Sequence, residues 1–185
     1  AYLDVQPGMK VVDTCAGAGG KTLHLAALMK NKGQLFAMDI YESKLRKLKV
    51  RAKRGGIHNV TLKTIDSTKP IKKLHDKADR VLIDAPCSGL GVLRRNPDSK
   101  WKLQPEFLDN IKKTQQEILC SYSKMVKPGG KLVYATCSVL PSENQDQVKK
   151  FLATNEEFKF ISDKKILSSQ SGYDGFYMAL LERKK

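Results

Sequence analysis

Long apolar runs and histidine are both scarce in this chain, and each shortage removes a class of protein. No stretch of the 185 residues approaches the roughly 20 consecutive apolar residues that cross a bilayer, which excludes a transmembrane helix. Ala1-Tyr2-Leu3-Asp4 carries neither the basic nor the apolar segment of a secretory leader, so the expected location is cytoplasmic. The chain does not begin with Met and reads as a domain of a longer or processed protein. The only histidines are His24, His58 and His75, and Cys15, Cys87, Cys120 and Cys137 form no C-x-x-C pair. That spacing offers no zinc site, and no metal is expected. In the absence of a leader the four thiols should stay reduced, free for packing or chemistry. Repeats, low-complexity tracts and internal linkers are missing as well, leaving one domain over residues 1–185.

Positive charge, by contrast, is abundant. Thirty-four Lys and Arg against nineteen Asp and Glu give a net +15 and a pI near 9.7. Such an excess suits a polyanion, since each phosphate that it neutralises releases counterions. A solubility surface is the plainer alternative. An anionic membrane surface fits less well, because the basic segments lack large apolar anchors.

Short apolar runs alternate with helical patterns along the chain. Strands are predicted at Lys10–Asp13, Gln34–Asp39, Val60–Ile65, Arg80–Asp84 and Lys131–Thr136, with final strands at Phe158–Ile161 and Phe176–Leu181. Helices are predicted over Thr22–Asn31, over Glu42–Arg54 and from Pro105, the last of these ended by Lys127-Pro128-Gly129-Gly130. Ser142-Glu143-Asn144-Gln145 has the form of a capping box opening another helix. Ala85–Leu103 reads as a long irregular connection. The alternation predicts an α/β fold, a doubly wound and mostly parallel seven-stranded sheet. Ligands bind such sheets beyond the carboxyl ends of the strands. Here those ends carry Asp13-Thr14-Cys15, Asp39, Asp66, Asp84-Ala85-Pro86-Cys87 and Thr136-Cys137.

The first strand is followed by Cys15-Ala16-Gly17-Ala18-Gly19-Gly20-Lys21-Thr22. Three chemistries use a glycine loop at this place. A nicotinamide loop wants G-x-G-x-x-G, and Thr22 stands where its third glycine belongs. A P-loop matches Gly20-Lys21-Thr22, with Asp84 as a magnesium acid, but Cys15 replaces its first glycine. An adenosylmethionine site also fits: Asp39 lies 20 residues beyond Gly19, as a ribose-binding acid would, and Asp66 ends the next strand near an adenine. Strand termination alone would also account for either acid taken singly.

The strands preceding Cys87 and Cys137 are predicted neighbours, about 4.8 Å apart. Two cysteines distant in sequence are thus expected in one crevice, whereas Cys120, on an apolar helix, and Cys15 read as packing residues. Cys15 to Thr22, Asp84-Ala85-Pro86-Cys87-Ser88-Gly89, Arg94-Arg95-Asn96-Pro97-Asp98 with Lys100-Trp101, Thr136-Cys137-Ser138 and Gly172-Tyr173-Asp174-Gly175-Phe176-Tyr177 together resemble the Nop/Sun family of RNA cytosine-5 methyltransferases. The resemblance runs from about Val5 to Leu181, with Gly17-Ala18 where the family commonly has Ala-Pro.

The resemblance implies a Rossmann-like class I methyltransferase fold and S-adenosyl-L-methionine as cofactor, held by the loop Cys15–Lys21 with Asp39, Asp66 and Asp84. It also implies methyl transfer to carbon 5 of cytosine in RNA, ribosomal rather than transfer RNA; the family's RNA-binding N-terminal region is not in this chain, and a monomer is expected. Cys137 would attack carbon 6 of the base, Cys87 would release the product, and Asp84 would contact the ring. Arg94, Arg95, Lys100 and Trp101, close behind Cys87, are the expected RNA contacts, and a splayed base is the expected target. The basic helix, with seven Lys or Arg between Lys44 and Arg54, fits a phosphate contact or a solvated face equally well. A P-loop NTPase and a non-catalytic RNA-binding remnant of the fold are the competing readings.

Overall fold

A computed structural model of the protein describes residues 2–185; Ala1, the first residue of the expected domain, lies outside them. Strand and helix alternate through β1 (Lys10–Asp13), α1 (Gly20–Leu28), β2 (Gln34–Asp39), α2 (Glu42–Arg54), β3 (Val60–Thr64), α3 (Lys69–Lys72) and β4 (Ala78–Asp84). The chain continues through α4 (Ser99–Lys102), α5 (Pro105–Tyr122), β5 (Val126–Thr136), α6 (Gln145–Leu152), β6 (Phe158–Ile166), α7 (Ser168–Ser171) and β7 (Phe176–Arg183). Seven strands form one sheet in the order β3-β2-β1-β4-β5-β7-β6. β1 to β5 are parallel, and β7 is inserted antiparallel between β5 and β6.

The period of two in the strands divides the core between the faces. Val11, Leu35, Leu82 and Val133 point to one side, against Leu25 and Ala26 of α1 and Met29 just beyond it. Their neighbours Val12, Met38, Val81, Ile83, Leu132 and Tyr134 point to the other, against Leu119 and Tyr122 of α5 and Val148 and Phe151 of α6. Helix α2 docks beside Ala37 through Leu45, Leu48 and Ala52. Fully burying a leucine stabilises by roughly 1.5–3 kcal/mol, so this stripe holds α2 while its charged face stays in water. Cys120 packs against the core from α5, as expected. Among the described residues, no helix is long and apolar enough to cross a membrane.

The sheet and the order of its strands match the sequence reading, although β6, expected to end at Ile161, runs on to Ile166; the other differences lie at the junctions. α1 ends at Leu28 rather than Asn31, because Lys30 and Asn31 take positive φ and turn the chain toward β2. Lys127-Pro128-Gly129-Gly130 does not end the long helix. That helix stops at Tyr122, a 3-10 turn covers Ser123–Met125, and the Pro-Gly-Gly segment belongs to β5. The register passes from Ala78↔Val126 to Arg80↔Lys131, so two steps along β4 face five along β5 and the glycines fill a bulge. The capping box does not form. Pro141–Glu143 is a 3-10 turn, α6 begins at Gln145, and no side chain caps it. Asn144 is held instead by Thr136 and Ser138, and Glu143 turns into the protein interior.

Candidate active site

The parallel strands end along one edge, and the loops that leave it carry the chemistry. The loop after β1 is fixed by backbone bonds to both neighbouring strands: Thr14 N–H to Leu82 O at 3.0 Å and Ala16 N–H to Met38 O at 2.9 Å. Gly19 has φ +90°, and a Cβ there would lie 2.6 Å from Leu48, so only glycine lets the loop turn against α2. Arg51 of α2 donates to Ala18 O at 2.6 Å and holds the loop from outside. Asp39, at the end of β2, accepts from Gly17 N–H and from Tyr41 N–H, both at 2.8 Å.

Beside this loop lies a cavity of about 200 Å³. Thr14, Cys15, Gly17, Asp39 and Asp84 give it a polar wall, and Ile40, Pro86, Ile118 and Tyr122 an apolar one. Burial pushes the Cys15 thiol up to about 12, so at neutral pH it is a neutral packing group. Asp66 is exposed, accepts from Ser67 Oγ at 3.0 Å, and lies outside this cavity in a shallow hollow with Lys63, Lys69 and Lys73. The structure therefore brings Asp39 and Asp84 together with the glycine loop but leaves Asp66 apart.

Asp84 receives the Lys21 ammonium at 2.6 Å, and the same ammonium sits 5.2 Å from the centre of the Phe176 ring. Thr22 is fully buried and its hydroxyl donates to Asp13 at 2.7 Å. Both groups that a P-loop would turn toward a nucleotide and its magnesium are thereby engaged by protein carboxylates, Thr22 in the interior and Lys21 at the surface, which removes the support for that alternative. Burial lifts the Asp13 carboxyl to about 7, and its second oxygen has no hydrogen-bond partner among the described residues.

Cys87, after β4, and Cys137, after β5, are both half-buried free thiols with their sulfurs 3.1 Å apart. The parallel pairing of β4 with β5, through Asp84↔Ala135, aligns the two loops. Either sulfur can donate across this contact; with Cys87 as the donor, Cys137 is held below its ordinary 9.0, at about 7, against burial and the Asp84 carboxylate, with Lys21 assisting. The same hydrogen bond, together with burial and the charge on Cys137, pushes Cys87 upward. One sulfur is therefore partly anionic at neutral pH beside a second that carries a proton. Such a pair can offer a nucleophile and a proton carrier to one substrate.

The segment behind Cys87 forms the rim. Gly91 N–H donates to Cys137 O at 2.8 Å, and Gly175 N–H donates to Gly91 O at 2.7 Å. A Cβ on Gly91 would lie 2.2 Å from Gly175 O, so the segments touch backbone to backbone. Arg94 donates to Gly172 O at 2.9 Å, and Arg95 pairs with Asp174 at 2.7 Å. Lys100 lies 4.8 Å from the centre of the Trp101 ring, and both Trp101 and Tyr173 are 77% exposed. The arginines expected at RNA thus already bind the turn before β7.

Sequence reasoning missed the support behind the thiols: Glu143, Ser88, Ser138 and Gln115. Glu143 was hidden inside an apparent capping box. The only remaining signal was its place six residues after Cys137.

A parallel sheet closed by one inserted antiparallel strand, with a glycine loop and an acid ending its first two strands, is the architecture of the Rossmann-like methyltransferases. The family model for 16S rRNA methyltransferase RsmB/F matches residues 1–182, and the chain belongs to that family. It is 40% identical to the probable ribosomal RNA small subunit methyltransferase B of Synechocystis sp. over 158 residues, which is 85% of this chain and 35% of that protein. The crystal structure of PH0851 superposes with a TM-score of 0.95 at 37% identity, covering 98% of this chain and 44% of its own. NSun6 from Pyrococcus horikoshii, solved with SFG, gives 0.87 at 29% identity, covering 99% of this chain and 50% of its own. The chain thus spans between about a third and a half of the length of these relatives.

Proposed function

We propose that this chain is the catalytic domain of an S-adenosylmethionine-dependent enzyme that methylates carbon 5 of cytosine in RNA of the small ribosomal subunit. The observation that carries the reading is the pair of free thiols 3.1 Å apart at the sheet edge, beside the Lys21–Asp84 ion pair. A binding remnant of the fold has no use for that arrangement. The ribosomal substrate is carried over from the family and from the relatives' names.

The cavity beside the glycine loop suits the cofactor. No atom lies within 4 Å of where a Cβ on Gly17 would be, so the backbone is open to a ligand there. Asp39 suits ribose hydroxyls, and Ile40, Ile118 and Tyr122 suit a flat base. The archaeal relative solved with SFG, an adenosylmethionine analogue, supports the same choice. Asp66 would join only from outside, at the adenine edge. When bound, the cofactor supplies a methyl group on a sulfonium.

In this reading Cys137, held near neutrality by its neighbour, attacks carbon 6 of the cytosine, and carbon 5 becomes nucleophilic. Asp84 holds the ring nitrogen or amino group as charge develops, with Lys21 keeping the carboxylate in place. Once the Cys137 charge is taken up in the new bond, the hydrogen bond and the repulsion that kept Cys87 protonated are both gone. Cys87 then loses its proton to solvent and takes the proton from carbon 5, and the Cys137–carbon 6 bond breaks. Arg94, Arg95, Lys100 and Trp101 would meet the flanking RNA at the rim, and the domain would act as a cytoplasmic monomer.

The test is a denaturing gel of Cys87→Ala with unmodified labelled RNA and adenosylmethionine. A covalent protein–RNA band that disappears in the Cys87→Ala/Cys137→Ala double variant is expected. Methyl transfer to uridine or to protein, or release of product by Cys87→Ala at the native rate, would overturn the reading.

A further inference from the structure

The reaction above makes no use of Glu143, although it is the most completely enclosed acid near the site. It lies in the 3-10 turn Pro141–Glu143 and is 0% exposed. Its carboxylate accepts hydrogen bonds from four donors. Ser88 supplies two, the backbone N–H at 2.8 Å and the hydroxyl at 2.5 Å; Gln115 donates through its amide at 3.0 Å, and the Ser138 hydroxyl donates as well. Ser88 follows Cys87 and Ser138 follows Cys137, so one oxygen of one side chain takes a hydroxyl from each cysteine loop. The same Gln115 amide reaches Pro86 O at 2.9 Å, on the other side of Cys87. The Tyr134 hydroxyl donates to the backbone carbonyl of Glu143 at 2.8 Å and anchors the turn to β5.

A carboxylate is an acceptor only, and buried charge is tolerated where such bonds satisfy it. The donors here come from three separate elements: the loop after β4, the loop after β5, and α5. A neutral apolar side chain would fill the space but join none of them.

We propose that Glu143 is a positioning residue for the two-thiol reaction: its carboxylate clamps the loops of Cys87 and Cys137 together and so sets the separation of the two sulfurs. The inference rests on the function proposed above. Its consequence is specific to the thiols. The hydrogen bond from Cys87 is the main influence that lowers Cys137, and the other charged groups facing that sulfur are Asp84 and Lys21, neither of which touches Glu143. Loosening the clamp should lengthen the sulfur–sulfur contact and let Cys137 return toward an ordinary thiol.

Two variants keep the interior filled. Glu143→Asp withdraws the carboxylate by one methylene, about 1.5 Å, so that it cannot reach both serines. Glu143→Gln keeps the reach, and the serine hydroxyls can reverse to accept from its amide. The measurement is the pH dependence of Cys137 alkylation by iodoacetamide, followed peptide by peptide, with Cys120 in the same sample reporting on general loosening and calorimetry reporting adenosylmethionine binding. Glu143→Asp should move the Cys137 midpoint upward by about one pH unit and slow diamide-driven joining of Cys87 to Cys137 by about tenfold. Cys120 alkylation and cofactor affinity should stay within twofold of the parent, and Glu143→Gln should lie between the two. A midpoint that stays in place in Glu143→Asp, or one that moves only together with Cys120, overturns the proposal. The readout needs neither RNA nor methyl transfer. A chain that shows this shift but forms no RNA adduct keeps the clamp and loses the function; one that forms the adduct without the shift does the reverse.

Discussion

The thiol cleft and the rim above it are built on the same sheet edge but held by different forces. Behind the thiols, Glu143, Ser88, Ser138 and Gln115 are buried, and their bonds are shielded from water. At the rim, Arg95 meets Asp174 with its side chain 69% exposed, and Trp101 stands almost free. A buried carboxylate that loses its donors costs several kcal/mol, whereas an exposed ion pair contributes roughly 0–1 kcal/mol. The cleft is thereby held more firmly than the rim, and the rim can trade a protein partner for a phosphate at small cost.

The contrast can be broken from the buried side first. Glu143→Ala removes the acceptor for four donors; the serine hydroxyls, 3.3 Å apart, can repair one another and the Gln115 amide keeps Pro86 O, but the Ser88 N–H is left without an acceptor. A loss of about 2–4 kcal/mol is expected, seen in a thermal melt as a fall of roughly 5–15 °C. A fall no larger than that of an exposed control would erase the distinction.

Asp13 sharpens it further. Its carboxyl titrates at about 7 in the folded chain, against 3.8 when free, so the folded state binds the extra proton between those values. Stability from this group therefore falls as pH rises from about 4 to about 7 and is level above. Asp13→Asn keeps the acceptor for Thr22 and removes the ionisation, so its melting temperature should drop less than the parent's between pH 5 and pH 8. Equal drops in the two proteins would show that the carboxylate is not strained by burial.

The smallest effect belongs to the rim. Arg95→Ala should shift the melt by no more than about 3 °C, yet reduce the salt dependence of RNA binding by about one counterion. An unchanged salt slope, measured by filter binding over a range of potassium chloride, would remove Arg95 from the RNA path.

Much of this edge was legible before any coordinates. Period-two apolar runs ending in Asp13, Asp39, Asp84 and Thr136-Cys137 placed the chemistry, because a parallel sheet collects its strand ends on one side. The two cysteines followed from neighbouring strands. Glu143 was not legible, since its partners Ser88 and Gln115 lie 55 and 28 residues away and meet it only after β4, β5 and α5 have packed. Local pattern favoured a capping box there, and a tertiary demand for a buried acceptor prevailed. The bulge at Pro128-Gly129-Gly130 was concealed for a similar reason: glycines that end helices also fit irregular strands. Asp66 shared the strand-end pattern with Asp39, but pattern fixes the edge of the sheet, not which hollow along that edge a side chain lines.

The backbone seam of Gly91, Gly175 and Cys137 bears on how this fold could be re-engineered. Neither glycine has room for another side chain, and each is shaped to the other's main chain. The connection after β4 and the turn before β7 are therefore one cassette divided between distant stretches of sequence. A specificity loop borrowed from a relative would have to travel with its own copy of that turn. Moved alone, it would carry the strain of a mismatched seam directly into the peptide of Cys137.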